Sequence, residues 1–295
     1  MVKIKSSLIG LITFILIVIE LTIGFGILAI VNIPRALIPI KLFKISLAKF
    51  SNFIGDLTVF GLKLIMLLMH GNNIKVIDDN ETFERDEWYM AMSNHQSWAD
   101  IFVLLVAANY KLPLLKFFMK RELWWIPFVF VANKTLNMPF VNRHSKEAIK
   151  KDPSLRTKDY ENTIKACKRF MRSPSTIFSY AEGTRYTKEK HSDQLSPYNN
   201  LLIPKIGGMA TALSAMPKIK TLVDYSVVYK SEKRDAWSFL CGDMSEVKIL
   251  VKKYEIPEKL KEKNYLKDDQ YREDFKMWIE DIWQQKDINI EKLKL

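Results

Sequence analysis

The stretch "WYMAMSNHQSWADIFVLLVAA", residues 88–108, holds a polar seam from Ser93 to Asp100 between two apolar runs. The first run, Trp88–Met92, is short enough for a strand. The second extends from Ser97 to Asn109 as a helix, so the chain turns here from strand to helix. Five steps separate His95 from Asp100, which on a continuous helix would point them about 140° apart. They can meet only if His95 precedes the helix and Asp100 lies in its first turn. Ser97 supplies the break: as N-cap it places Asp100 at N3, the S-x-x-D form of a capping box. Two readings stay open at this point. Asp100 caps a helix and His95 is a loop histidine, or the two form a reactive pair.

Outward from the seam, residues 72 to about 245 alternate short apolar strands with helical patterns, the mark of an α/β domain. Further strands are expected over Asn137–Val141, Thr176–Tyr180 and Thr221–Tyr229, with helices over Lys158–Arg172 and Met209–Met216. The charged segment His144–Lys158 reads as an exposed connection. "VKILVKKYEI", from Val247, reads as a late strand. Tyr271, Phe275, Trp278, Ile279, Ile282 and Trp283 then share one face of a packing helix. Several strands run out into polar groups: Asn142 and Arg143 after "MPFV", and Glu182, Gly183, Thr184 and Arg185 after "TIFSYA". In α/β sheets the carboxyl edge is where ligands bind. Gly183 permits close backbone approach, and arginines such as Arg143 and Arg185 fork onto phosphate. Gly207 and Gly208, just ahead of a helix, could form an anion-binding start.

The 295 residues are 48% apolar and 26% charged, which argues against disorder. The formal net charge of +12 favours anionic partners. Nucleic acid is disfavoured, because the basic residues do not interleave with aromatics. Two cysteines and four scattered histidines support neither a disulfide framework nor a metal site. From Leu8 to Val31 Glu20 is the only charge, and such a run, at about 1.5 Å per residue, covers a bilayer core of roughly 30 Å. It is too long for a cleaved signal peptide. Next, Phe50, Phe53, Leu57, Phe60, Leu64 and Leu67 recur at helical spacing, and Lys49, Asp56, Lys63 and His70, seven apart, make one narrow polar stripe. This helix lies in the interface, folds back on the first, or packs as a core helix. The organisation expected is a membrane-anchoring helical hairpin over 1–70, an α/β domain over 71–245, and a C-terminal strand and amphipathic helix over 246–295 packed on that domain.

At Asn94, His95 and Asp100 (N-H-x-x-x-x-D), Arg143, Glu182–Arg185 (E-G-T-R) and Pro204, in that order over about residues 70–230, the sequence resembles the lysophospholipid acyltransferases. These include the 1-acylglycerol-3-phosphate acyltransferases. "NHQSWADI" and "KFFMKRELWWIP" look most like the lysocardiolipin and lysophosphatidylinositol acyltransferase subgroup, which has bacterial members. Ala181 stands where the family often has Pro, and "NMPFVNR" lacks the usual opening Gly; both bear on the acceptor head group. The resemblance implies a glycerolipid acyltransferase-type α/β fold, a mixed sheet flanked by helices. It implies acyl transfer from acyl-CoA or acyl carrier protein to the free hydroxyl of a lysophospholipid, at a membrane. For a bacterial protein this would be the cytoplasmic face of the inner membrane. His95 would be the general base and Asp100 would hold its tautomer, without cofactor, metal or acyl-enzyme. Arg143, Glu182, Gly183, Thr184 and Arg185 would bind the acceptor's phosphate, and Lys120, Arg121 and Lys205 the donor. Backbone N–H groups near Gly183, or at the helix start after His95, would face the oxyanion. The alternatives are a lipid hydrolase that uses the same pair on water, and a lipid-binding protein without activity. Deleting residues 1–70 is expected to impair activity on bilayer lipid more than on short-chain acceptors.

Overall fold

The computed structural model describes residues 2–78, 81–141, 150–244, 246–261 and 265–295. Two long helices open the chain, α1 (Val2–Leu37) and α2 (Lys41–His70). The strands that follow are β1 (Ile74–Ile77), β2 (Trp88–Ser93), β3 (Leu115–Phe117), β4 (Met119–Lys120), β5 (Phe140–Val141), β6 (Ser175–Tyr180), β7 (Ile219–Tyr229) and β8 (Val247–Glu255). Between and after them lie α3 (Asp100–Ala108), α4 (Pro127–Thr135), α5 (Ser154–Phe170), α6 (Lys188–Asp193), α7 (Gly207–Ala215), α8 (Ala236–Leu240) and α9 (Asp269–Lys294).

The main sheet has the order β1-β8-β7-β2-β6-β3. Its neighbours pair in parallel except β7 and β8, so the sheet is mixed. β4 and β5 form a separate parallel pair. The central strands β2 and β7 are covered on both faces, which is why β2 reads as a continuous apolar run and not as an alternating one. One face packs on α5, α7 and α9 through Phe170, Leu213, Phe275 and Trp283. The other packs on α3 and the end of α2 through Val103, Leu104 and Met66. Because β2, β6, β3 and β7 run the same way, their carboxyl ends share one edge.

Within 246–295, β8 sits inside the sheet between β1 and β7, and α9 seals one face. One expectation changes. The strand expected over Asn137–Val141 shrinks to Phe140–Val141, because Asn137 takes a left-handed conformation (φ 59°) and Pro139 has no N–H to give a ladder.

The two opening helices pack as a hairpin. Gly24 faces Thr58 and Gly61 faces Glu20 so closely that a Cβ at either glycine would lie 2.2 Å from the opposing side chain. Two members of the polar stripe of α2 turn inward: Asp56 is buried and ion-paired with Arg85, and His70 Nε2 lies 2.9 Å from the Leu240 carbonyl, while Lys49 and Lys63 stay exposed. Also outside are Phe50, Phe53, Leu57, Phe60, Leu64 and Leu67, each 39–51% exposed. An exposed apolar row of this length is not expected of a helix on a water-soluble surface. Both helices are long and apolar enough to cross a membrane. Both ends of α1, however, dock on the domain. Near its start Ser6 donates to Asp243 (2.9 Å); near its end Arg35 donates to the Thr135 carbonyl (2.9 Å) and to Asn137 (2.7 Å).

Candidate active site

The seam lies at the carboxyl ends of β2 and β6. Asn94 clamps it to β7 at two points: its Nδ2 donates to the Val227 carbonyl (2.9 Å) and its Oδ1 accepts from the Val227 N–H (2.8 Å). With Asn94 pinned, the chain turns and His95 leaves the strand. Its Nδ1 lies 2.8 Å from Asp100 Oδ2. A carboxylate can only accept, so Nδ1 carries the proton and Nε2 keeps a free lone pair. The same Oδ2 also accepts from the N–H groups of Gln96 (2.7 Å) and Ser97 (3.0 Å). One oxygen of Asp100 therefore holds both the imidazole and the turn that leads into the helix, although Ala99, not Ser97, stands at the N-cap. Ser97 Oγ accepts from the Ala99 N–H (3.1 Å) and donates to the Arg234 carbonyl (2.6 Å). Regular helix begins only at Asp100, three residues later than expected.

Asp100 is fully buried, whereas the His95 side chain is 20% exposed: the carboxylate is hidden and the ring reaches the surface. Tyr229 OH donates to Asp100 Oδ1 (2.6 Å). The Tyr180 ring stacks on the imidazole, with centroids 3.9 Å apart and planes 14° from parallel. Burial and the charge of Asp100 raise both phenols well above their ordinary range, so they stay neutral. Neither tyrosine stood out in the sequence, although each ends a strand that did. Arg234, whose guanidinium donates to Gln96 Oε1, was also missed, because its loop carries no motif.

The E-G-T-R turn divides. Glu182 points inward and is fully buried: Oε2 accepts from the His95 N–H (2.5 Å) and Oε1 from the Leu202 N–H (2.9 Å). It fixes the backbone of His95 and does not face an acceptor phosphate as expected. Burial pushes its carboxyl up to about 7, against the pull of those two N–H bonds and of Lys286. Gly183 is left-handed (φ 67°), and Lys205 lies across it: a Cβ there would stand 2.9 Å from Lys205 Cδ. Thr184 Oγ1 accepts from Lys190 Nζ (2.8 Å). Arg185 is exposed, its guanidinium 4.8 Å from the Trp98 ring centroid. Three of the backbone donors expected for the oxyanion are engaged elsewhere: Gly183 N–H bonds the Tyr180 carbonyl (3.0 Å), and those of Gln96 and Ser97 bond Asp100. The helix start at Gly207 is covered by Tyr265.

Arg143 lies outside the described residues. Lys120 ends β4, whereas Arg121 opens a 3-10 turn, Arg121–Leu123, and lines a cleft of its own. Lys205 is at the seam, so the three lysine and arginine positions expected at the donor do not gather in one place.

A family model described as Acyltransferase matches residues 74–230. Among solved structures, that of a 1-acyl-sn-glycerophosphate (LPA) acyltransferase, PlsC, from Thermotoga maritima matches with a TM-score of 0.61. The match covers 100% of this chain and 98% of that one at 16% identity, a likeness of fold. No curated protein matches.

Proposed function

Because this chain belongs to the acyltransferase family, we propose that it moves a fatty acyl group from a thioester to the free hydroxyl of a lysophospholipid at a membrane surface. One observation carries this reading: an imidazole fixed through Nδ1 by a buried carboxylate, with Nε2 free and the ring at the surface. The hydroxyl hydrogen-bonds to Nε2 and attacks the thioester carbonyl as Nε2 takes its proton. The tetrahedral intermediate collapses, the C–S bond breaks, and the imidazolium returns the proton to the leaving thiolate. Asp100 stabilises the imidazolium, and Tyr180 keeps its ring in plane. The acceptor takes the role that serine plays in a triad, so no acyl-enzyme forms.

The acceptor is a phosphate-bearing lipid such as 1-acylglycerol-3-phosphate. Arg185, steadied on Trp98, takes its phosphate together with Arg143, and Gly183 and Thr184 shape the turn beneath. Lys205 borders the same turn, whereas Lys120 ends β4 in the separate β4–β5 pair. The hairpin supplies the lipid side. Its apolar faces are exposed, and α1 is tied to the domain at both ends, so it lies in one leaflet beneath the site instead of crossing the bilayer. In a bacterium the site would face the cytoplasm.

The test is mass spectrometry of lipids after incubating the purified full-length protein with acyl-CoA or acyl carrier protein donors and a lysophospholipid panel. Diacyl product is expected from the wild type, with a loss of about 10³-fold or more in His95→Ala. Free fatty acid in place of diacyl lipid, or an active His95→Ala, overturns the assignment.

A further inference from the structure

Away from the seam, a cleft of about 560 Å³ opens between the Arg121–Leu123 turn, β5 and α5. Arg121, Lys165 and Arg169 bring three cations to it, with Asn162, Trp124 and Phe140 between them. Among the described residues no carboxylate pairs with any of the three. Arg169 is held from behind, its guanidinium donating to the Asn133 carbonyl. A concave site with unneutralised positive charge concentrates anions. Its volume lies in the range of cofactor sites.

Position selects the anion. Arg169 adjoins Phe170, whose carbonyl accepts from Trp88 Nε1 (3.2 Å) at the start of β2, and His95 lies beyond the other end of that strand, roughly 17 Å along, so this wall of the cleft stands well away from His95. The phosphate of a lysophospholipid is only a few covalent bonds from the hydroxyl to be acylated. It cannot sit in this cleft while that hydroxyl touches Nε2. A coenzyme A thioester separates its phosphates from the reacting carbonyl by a long pantetheine arm, and so it can. It also brings several phosphates for three cations and a purine for the exposed indole of Trp124. An acyl carrier protein offers a single phosphodiester at its own surface and no nucleotide, which would leave the cleft unfilled.

We propose that this cleft binds the nucleotide end of a coenzyme A thioester, its phosphates on Arg121, Lys165 and Arg169 and its base against Trp124. The inference rests on the thioester-transfer reading above.

Arg121 and Lys165 are exposed, so Arg121→Gln and Lys165→Gln can be made in the full-length protein without disturbing its core. The first readout is the ratio of kcat/KM for acyl-CoA to that for the matching S-acyl-pantetheine, which lacks the nucleotide. Each variant should lower this ratio about tenfold or more. The second readout is calorimetric binding of coenzyme A itself, expected with the wild type and weakened by a similar factor in each variant. An unchanged ratio, no binding of coenzyme A to the wild type, or turnover with acyl carrier protein alone overturns the inference and leaves acyl transfer standing. If no thioester is used at all, the function proposed above fails, and coenzyme A binding still decides the cleft.

Discussion

At Asp100 one carboxylate oxygen receives three donors, and only one of them is the imidazole. Replacing it by Asn leaves the size and the Tyr229 bond but turns an N–H₂ toward donors that need an acceptor. Asp100→Asn should lower kcat about 10²–10⁴-fold with little change in KM, in steady-state assays of acyl transfer. A variant that retains most of its kcat would mean that Asp100 is only a cap. Glu182 acts one step behind. Its carboxyl is raised from the ordinary 4.5 to about 7 by burial, so the folded protein holds that proton more tightly than the unfolded chain. The stabilisation is complete below about pH 4.5 and is lost as pH rises through about 7. Glu182→Gln removes the titration. Denaturant unfolding of both proteins across this window should show the wild type losing, relative to the variant, stability on the order of 3 kcal/mol as pH rises. Parallel curves would show that Glu182 is ionised throughout.

At the scale of elements, α2 carries the largest departure from what its pattern suggests. Its charged stripe looks like the wet side, yet Asp56 is buried on Arg85 and the row from Phe50 to Leu67 is exposed. Burial of that row in lipid reconciles the two. Phe53→Glu and Leu64→Glu put charges on that face, each costing about 2–3 kcal/mol against insertion. In flotation with anionic vesicles the bound fraction should fall sharply while the melting temperature stays the same, since both side chains are about half exposed. Full binding by the double variant would place the membrane contact elsewhere. At the other end of the chain, α9 works as a brace. Asp287 accepts from the N–H groups of Asn199 and Asn200 (2.8 Å each), and Trp283 donates to the Leu202 carbonyl (2.9 Å). Leu202 is the residue that holds Glu182, so the last helix is linked to His95 through three hydrogen bonds between side chain and backbone.

For the molecule as a whole, the hairpin is part of the core and not only an anchor. Leu28, Ile54 and Val59 share a cluster with Leu114, Met119, Leu136 and Met138. Deleting residues 1–70 would expose that cluster and strand Arg85, a loss of roughly 5–10 kcal/mol, comparable to the stability of a whole domain. The truncated chain should be insoluble or melt far below the full-length protein in detergent. Deletion therefore cannot separate anchoring from activity as the sequence suggested; equal melting temperatures would restore that simpler view. The sequence by itself determined the α/β alternation, the apolar central strands, and the order of polar strand ends with His95 and Asp100 among them. These follow from local periodicity and from side-chain chemistry that acts within a few residues. It did not reveal that β8 enters the sheet, that α2 buries Asp56 and exposes its apolar row, that Glu182 holds the His95 backbone, or that Tyr180 and Tyr229 flank the pair. Only the tertiary structure decided these, because each depends on which distant backbone meets a given side chain, and a buried polar group is defined by partners that sequence spacing does not encode.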